Sequence, residues 1–131
     1  MSTIGLSVIT LNEEYYLPAF LDSIKGIFHE YIFVDGGSID NTIKLIKEAG
    51  YPIIKNKFSM NFAKQKNLAL DSLTTKWRMI LDVDEIISKG IKEFIKTFNR
   101  NGDNVCYSFF RDNYLDGGNQ DDCPLDFPIR L

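Results

Sequence analysis

An apolar segment near the middle of the chain ends abruptly in acidic residues. The segment "RMIL" (78–81) has the composition of a buried strand, and Asp82, Asp84 and Glu85 follow it within four positions. Successive side chains of an extended segment point to opposite sides, so Asp82 and Asp84 are predicted to share one side while Val83 points back into the protein. Two carboxylates at this spacing would repel each other.

A divalent cation between Asp82 and Asp84 would remove that repulsion. Mg²⁺ and Mn²⁺ prefer oxygen ligands, and one or two carboxylates commonly bind the ion while water and the oxygens of a substrate diphosphate complete its shell. A solvated turn, or an acidic cap on the following helix, would give the same local pattern. The acidic residues alone therefore leave both interpretations open.

Apolar segments alternate with segments of helical periodicity along most of the chain. The predicted strands are 4–11, 31–34, 51–55, 77–81 and 105–110, and the predicted helices are 17–24, 40–49, 61–73 and 91–98. We expect Phe62, Ala69 and Leu73 to lie along one side of the third helix. The alternation predicts an α/β protein, a three-layer α/β/α sandwich with a mostly parallel sheet, in which residues 1–131 form a single domain.

Polar residues follow the first four predicted strands. They occupy positions 10–12, 35–38, 55–56 and 82–84. In open parallel sheets, ligands bind outside the carboxyl ends of the strands, at the point where the strand order reverses. The sequence therefore predicts that these residues form one polar rim at that edge.

The composition indicates a globular protein with a mildly acidic surface. Of 131 residues, 44% are hydrophobic, and the formal net charge is -3. Nucleic acids and anionic membranes bind basic surfaces, so we expect neither as a partner. Because no segment resembles a signal peptide or a membrane span, we expect no transmembrane segment and a cytoplasmic location. Cys106 and Cys123 lack the paired spacing of a zinc site and are expected to be reduced.

Four short motifs occur in the order and spacing of a known enzyme family. They are "VITLNEE" at the end of the first strand, "FVDGGSIDNT" after the second, "AKQKNLAL" in the helix before the fourth and "LDVDE" after the fourth. With these motifs the chain resembles glycosyltransferase family 2, which has the GT-A fold of nucleotide-diphospho-sugar transferases. The resemblance extends to "FPIRL" (127–131), and it is greatest to the bacterial branch that adds sugars to lipopolysaccharide cores.

The resemblance implies a metal-dependent glycosyltransferase. Such an enzyme would use Mn²⁺ or Mg²⁺ to transfer a sugar, with inversion, from a nucleotide-diphosphate sugar donor to a hydroxyl of a saccharide or other acceptor. In the resembling enzymes the catalytic base and the acceptor-binding surface lie beyond the DxD strand, so we expect this chain to lack the C-terminal acceptor-binding side. We assign no catalytic residue, because the acids beyond that strand lie in a segment typical of a solvated loop. They are Asp112, Asp116, Asp121, Asp122 and Asp126.

The resemblance also implies roles for individual residues. Asp84 would be the direct metal ligand, Asp82 would hold the ribose or a metal-bound water as the second residue of the metal site, and Glu85 would be an acid at the start of the next helix. Asp35 would contact the base or ribose. The full set of predicted nucleotide-binding residues is Thr10, Leu11, Asn12, Glu13, Asp35, Lys64, Lys66, Asn67, Asp82 and Val83.

Two of these assignments have plain structural alternatives. The family pattern often has a second aspartate where this chain has Gly36, so "DGGS" could be a simple turn that needs glycine. Lys64, Lys66 and Asn67, which the resemblance would put beside the diphosphate, could instead form a solvated helix face. The sequence does not decide between these interpretations.

Other functions also remain open. A nucleotide-sugar-binding module without turnover would carry the same donor motifs. A nucleotidyltransferase would share the nucleotide-facing sheet edge, but it would ordinarily have a glycine-rich basic loop after the first strand, where this chain has "TLNEEYY". A phosphotransferase of the haloacid dehalogenase type would have its Asp-x-Asp pair after the first strand rather than the fourth.

Overall fold

The computed structural model describes residues 2–99, 106–109, 114–115 and 118–119. The chain divides into two compact units, Met1–Asn101 and Gly102–Leu131, and the first unit contains all of the predicted donor-site residues. None of the helices in the described part of the chain combines the length and the apolar character that crossing a membrane requires.

The first unit is built on a parallel sheet. Its strands are β1 (Ile4–Thr10), β2 (Glu30–Asp35), β3 (Ile53–Lys55) and β4 (Trp77–Ile80), in the order β3-β2-β1-β4. β1 pairs with β2 up to Thr10 and Asp35, which are register partners at the last position of the two strands. The two side chains therefore leave the sheet side by side.

Each of these strands is followed by a helix. The helices are α1 (Leu17–Ile24), α2 (Thr42–Glu48), α3 (Phe62–Asp71) and α4 (Lys89–Thr97). Asp40, which precedes the N-cap residue Asn41, stabilises the start of α2, because its Oδ1 accepts a hydrogen bond of 2.9 Å from the N–H of Thr42. Asn61 begins α3 in the same way, since its Oδ1 accepts from the N–H of Lys64 at 3.0 Å. Such caps satisfy N–H groups that have no partner within the helix.

Helices cover both faces of the sheet. Val34 of β2 packs with Ala69 of α3, whereas the ring of Phe33 lies 6.5 Å from that of Phe20 in α1. Neighbouring strand residues point to opposite faces, so α1 and α3 lie on opposite sides of the sheet. The predicted three-layer arrangement with a parallel sheet is confirmed.

The strand order reverses beside β1. The chain adds β2 and then β3 on one side of β1, and β4 lies on the other side. The switch point is therefore between β1 and β4, at whose carboxyl ends a ligand is expected. Residues 11–13 and 82–84 follow these two strands and flank that point.

Two residues of the first unit are placed differently from what the sequence alone suggests, and for Glu85 the prediction was wrong. The predicted position of Phe62 on the side of α3 that carries Gln65 and Ala69 fits its spacing, but Phe62 is the first residue of the helix and is 65% exposed rather than buried as they are. Glu85 does not begin a helix, since α4 starts only at Lys89, after Ser88 has capped it. Both residues lie instead at the carboxyl edge of the sheet.

The second unit departs from the predicted strand at 105–110. Within its described residues 106–109, Ser108 makes an isolated β-bridge and no strand forms. Farther along, where a loop was expected, β5 (Tyr114–Leu115) pairs antiparallel with β6 (Gly118–Asn119). Cys106 is exposed and reduced. Cys123, "FPIRL" and the five aspartates considered as bases lie outside the described residues.

Candidate functional site

A buried carboxylate joins the ends of β1 and β2. Asp35 is 1% exposed, and its Oδ1 accepts hydrogen bonds from the hydroxyls of Thr10 (2.8 Å) and Ser38 (2.6 Å). Its Oδ2 accepts from the N–H groups of Gly37 (3.0 Å) and Ser38 (2.8 Å). Burial alone would raise the pKa of Asp35, but these hydrogen bonds, led by those from Ser38, outweigh it and hold the pKa below its ordinary value.

Through these contacts Asp35 holds the ends of β1 and β2 and the following turn together. Each carboxylate oxygen accepts about two hydrogen bonds, so the protein donors already use the capacity of both oxygens. The turn interpretation of "DGGS" therefore has a structural basis. A direct contact between Asp35 and a nucleoside stays a prediction.

The loops after β1 and β2 are joined by further hydrogen bonds. The N–H of Asn12 donates to Ser38 Oγ at 2.8 Å, and the side-chain Oδ1 of Asn12 accepts from the N–H of Ile39 at 2.9 Å. The N–H of Glu13 donates to Thr42 Oγ1 at 2.8 Å. Asn12 has a φ of 53°, a left-handed conformation that asparagine tolerates better than most residues. The predicted nucleotide residue Asn12 thus serves at least to hold this rim together.

A hollow of about 240 Å³ opens beside this rim. It is lined by Ile9, Thr10, Leu11, Glu13, Gly36, Phe58, Phe62 and Gln65. The structure therefore brings together the predicted residues Thr10, Leu11 and Glu13. Sequence reasoning missed Phe58, Phe62 and Gln65, although the first two follow β3 at the same edge of the sheet.

Gly36 lets the segment after β3 approach this edge closely. The N–H of Phe58 donates to Gly36 O at 3.0 Å, and a Cβ added at Gly36 would lie 2.9 Å from the Cβ of Phe58. An aspartate at this position, as in the common family pattern, would displace Phe58. The ring of Phe58 in turn lies 4.8 Å from that of Phe62, so the two rings form an aromatic wall of the hollow.

The segment after β4 forms a turn rather than the predicted extension, since the N–H of Glu85 donates to Asp82 O at 3.0 Å, but Val83 is buried as predicted. Val83 is 3% exposed, whereas Asp84 is exposed and Asp82 is partly exposed. Lys66 Nζ of α3 forms an ion pair of 3.0 Å with Asp82 Oδ1. Glu85 Oε2 accepts from the N–H of Asp82 at 2.8 Å, which fixes the turn that presents the two aspartates.

Glu13 connects the hollow to these acids. Burial is the main cause of its raised pKa, and repulsion from Asp84, Asp40 and Asp82 raises it further. The negative charges of Asp82 and Asp84, after β4, therefore act on Glu13, which lines the hollow after β1. Carboxylate oxygens such as those of the two aspartates suit a hard divalent cation.

A cation at this edge would need ligands besides the protein's own. Among the residues that the structure describes, no group of three or more His, Cys, Asp or Glu side chains forms a metal site. Mg²⁺ and Mn²⁺ are often held by one or two carboxylates together with substrate phosphates. Asp84 and Asp82 could supply such a partial set.

The helix directs Lys64, Lys66 and Asn67 of α3 to different sides. Lys66 faces Asp82, but Lys64 and Asn67 are exposed. They lie on the side of α3 that turns away from the buried residues Gln65 and Ala69. The structure therefore favours the solvated-face interpretation for Lys64 and Asn67 and brings Lys66 alone of the three to the acids.

Comparison with known sequences identifies the family. Residues 6–122 match the sequence model described as glycosyl transferase family 2. The chain belongs to glycosyltransferase family 2. The resemblance carried by the four motifs is thus confirmed. The chain nevertheless spans only 21% to 34% of the length of the first curated relatives it matches.

Individual relatives and solved structures support the predicted branch and fold. The lipopolysaccharide core biosynthesis glycosyltransferase LpsC of Rhizobium meliloti is 34% identical over 92 residues, which are 67% of this chain and 34% of that protein. The structure of TarS from S. aureus matches with a TM-score of 0.62 at 24% identity, over 70% of this chain and 30% of that one.

A further solved structure was crystallised with a donor. It is the glucosyl-3-phosphoglycerate synthase of Mycobacterium tuberculosis in complex with Mn²⁺ and uridine-diphosphate-glucose, with a TM-score of 0.58 at 22% identity. The match covers 65% of this chain and 34% of that one. At these identities the likeness establishes the fold, and the predicted GT-A fold is confirmed.

Proposed function

We propose that this chain is the donor-binding part of a metal-dependent, inverting glycosyltransferase. The observation that carries the proposal is the placement of Asp82 and Asp84 after β4, at the switch point beside β1, whose carboxyl end lines the hollow through Thr10, Leu11 and Glu13. Two carboxylates at such an edge can hold a cation that also binds a diphosphate. Family membership and the Mn²⁺ and uridine-diphosphate-glucose complex of the M. tuberculosis relative support the same function.

In this proposal, each acid after β4 has a distinct role. Asp84 is the direct ligand of Mn²⁺ or Mg²⁺, and Asp82 is the second carboxylate of the metal site. The bound cation would supply positive charge that stabilises the departing nucleoside diphosphate. Glu85 holds the turn that orients both aspartates.

The proposed reaction moves a sugar to an acceptor hydroxyl. The acceptor oxygen forms a bond to the anomeric carbon while the bond from that carbon to the diphosphate oxygen breaks on the opposite side, so the configuration inverts. The hydroxyl proton passes to a carboxylate base, which we do not assign among the described residues. The acceptor is a saccharide or another hydroxyl compound, and the cytoplasmic location inferred from the sequence remains a prediction.

We place the nucleobase of the donor in the hollow, against the exposed ring of Phe62. The hydroxyl of Thr10, which lines the hollow, already donates to Asp35. The amide of Gln65 is paired with Asn56, since its Nε2 donates to Asn56 O at 2.8 Å and its Oε1 accepts from Asn56 Nδ2 at 2.9 Å. Stacking on the aromatic ring is therefore expected to supply much of the affinity for the base.

Phe62→Ala is expected to weaken nucleoside diphosphate binding roughly tenfold, because a stacked base loses its platform. Phe62→Tyr should keep the affinity, and binding of inorganic pyrophosphate should not change in either variant. Met60→Ala is the matched control, since Met60 lies two positions before Phe62 and is 87% exposed but does not line the hollow. Isothermal titration calorimetry measures these affinities, and an equal loss of pyrophosphate binding would contradict a base-specific role.

The proposed function is tested by titrating the chain with UDP-, GDP- and dTDP-sugars, with and without Mn²⁺. We expect Mn²⁺-dependent binding of at least one of them, and weaker binding of a CMP-sugar, whose single phosphate offers fewer oxygens to the cation. Release of nucleoside diphosphate would establish turnover by the chain itself. Binding without release would favour the donor-binding module, and no Mn²⁺-dependent binding of any donor would refute the proposal.

A further inference from the structure

The ammonium group of Lys66 forms an ion pair with Asp82, one of the two proposed metal ligands. Lys66 Nζ lies 3.0 Å from Asp82 Oδ1, and the two side chains are 30% and 38% exposed. This lysine comes from α3, whereas Asp82 follows β4, so the pair is a tertiary contact across the site and not a neighbour interaction within one helix. The contact compensates the charge of Asp82 where Glu13 and Asp84 add further negative charge.

A divalent cation and the Lys66 ammonium compete for the same carboxylate. A cation that binds Asp82 must either displace Lys66 or remain close to its positive charge, and both lower the affinity for the cation. Partly exposed ion pairs contribute little to stability, so exchanging this pair costs little. A diphosphate offers the ammonium group a more highly charged partner at the same edge.

We propose that Lys66 couples cation binding to donor binding. In the absence of nucleotide, Lys66 holds Asp82; when the donor binds, the ammonium group moves to the diphosphate and releases Asp82 to the cation. This inference rests on the proposed function, since it concerns the same donor site. Each ligand then binds more tightly in the presence of the other, as any coupling between two sites requires.

The proposal predicts effects of opposite sign from one substitution. In Lys66→Gln, Asp82 is free of its ammonium partner, so Mn²⁺ alone should bind roughly five- to tenfold more tightly than to the wild type. The same variant should bind the nucleoside diphosphate more weakly in the presence of Mn²⁺, because the diphosphate has lost its cationic partner. A residue with a merely structural role would weaken both.

Lys64→Gln is the matched control. It removes the same charge from the same helix, but Lys64 is exposed and turned away from the buried face of α3. Mn²⁺ affinity, measured from the electron paramagnetic resonance signal of the free ion with and without UDP, GDP or dTDP, should equal that of the wild type in this variant. Lys66→Arg, which preserves the ion pair, should also behave as the wild type does.

The outcomes separate the inference from the proposed function. If the wild type binds Mn²⁺ and a nucleoside diphosphate cooperatively but Lys66→Gln leaves Mn²⁺ affinity unchanged or lower, the coupling role of Lys66 is wrong and the donor site stands. If Lys64→Gln tightens Mn²⁺ binding equally, the effect is general electrostatics and the inference is also wrong. If the wild type binds none of the nucleotides with Mn²⁺, both fail.

Discussion

Replacing Asp84 by alanine is expected to abolish the effect of Mn²⁺ on nucleoside diphosphate binding. Loss of a residue that only orients a metal ligand commonly lowers metal affinity by about 10- to 100-fold, and loss of a direct ligand should cost at least as much. Asp84 is exposed beyond the end of β4, so its replacement removes no packing. The defect should therefore concern the cation and not the fold.

The metal-free measurement distinguishes a ligand from a general binding residue. Without Mn²⁺, Asp84→Ala should bind nucleoside diphosphate as well as the wild type or better, because one carboxylate that repels the phosphates is gone. Asp71→Asn is a suitable control, since this exposed acid ends α3 and lies at the opposite end of the helix from the site. Calorimetry with and without Mn²⁺ provides both numbers. Retained Mn²⁺ dependence in Asp84→Ala would exclude it as the direct ligand.

The architecture could be predicted from the sequence because apolar strand segments alternate with segments of helical periodicity and polar residues mark the strand ends. The first four predicted strands and four predicted helices of the first unit all form, with boundaries shifted by a few residues. Parallel pairing then places every strand end at one edge, which is why Thr10 and Asp35 become neighbours although they are distant in sequence. The parallel topology therefore allows motifs that are separate in the sequence to be predicted at one edge of the sheet.

The roles of individual residues in the site could not be predicted, because they depend on which side chains form hydrogen bonds or ion pairs with each other. Nothing in the sequence indicates that Asp35 accepts hydrogen bonds from Thr10, Gly37 and Ser38, and its contact with a nucleoside stays a prediction. Lys64 and Lys66 are two positions apart, and a rotation of about 200° along a helix sends them to different sides. Lys66 alone therefore reaches Asp82.

The aromatic wall was missed for a related reason. Phe62 was given no binding role, because its spacing from Ala69 and Leu73 fits one side of an amphipathic helix. It is the first residue of α3, it is 65% exposed, and it lines the hollow at the carboxyl edge of the sheet. Periodicity identifies the side of a helix but not the point at which the sheet beneath it ends. An apolar residue at a strand-end loop is thus ambiguous between core and binding surface.

Asp35→Ala is expected to lower the free energy of unfolding by about 3 kcal/mol or more, since hydrogen bonds to a buried charged group contribute about 1.5–3 kcal/mol and their donors would be left without an acceptor. Asp35→Asn should cost clearly less. Its Oδ1 can accept from the N–H groups of Gly37 and Ser38, while the hydroxyls near its Nδ2 can rotate to accept. Urea unfolding at pH 7 measures the three proteins under the same conditions.

The pH dependence of the difference in unfolding free energy between the wild type and Asp35→Asn tests whether that difference comes from the charge of Asp35. Because the folded protein lowers the pKa of Asp35 below the ordinary value of 3.8, the folded state binds the proton less readily than the unfolded chain does. The contribution of Asp35 to stability is therefore complete above that ordinary value and is lost as the pH falls through the lower pKa of the folded state. The gap between wild type and Asp35→Asn should be constant near neutral pH and narrow in acid. A gap of unchanged size at acid pH would mean that Asp35 acts through shape rather than through its charge.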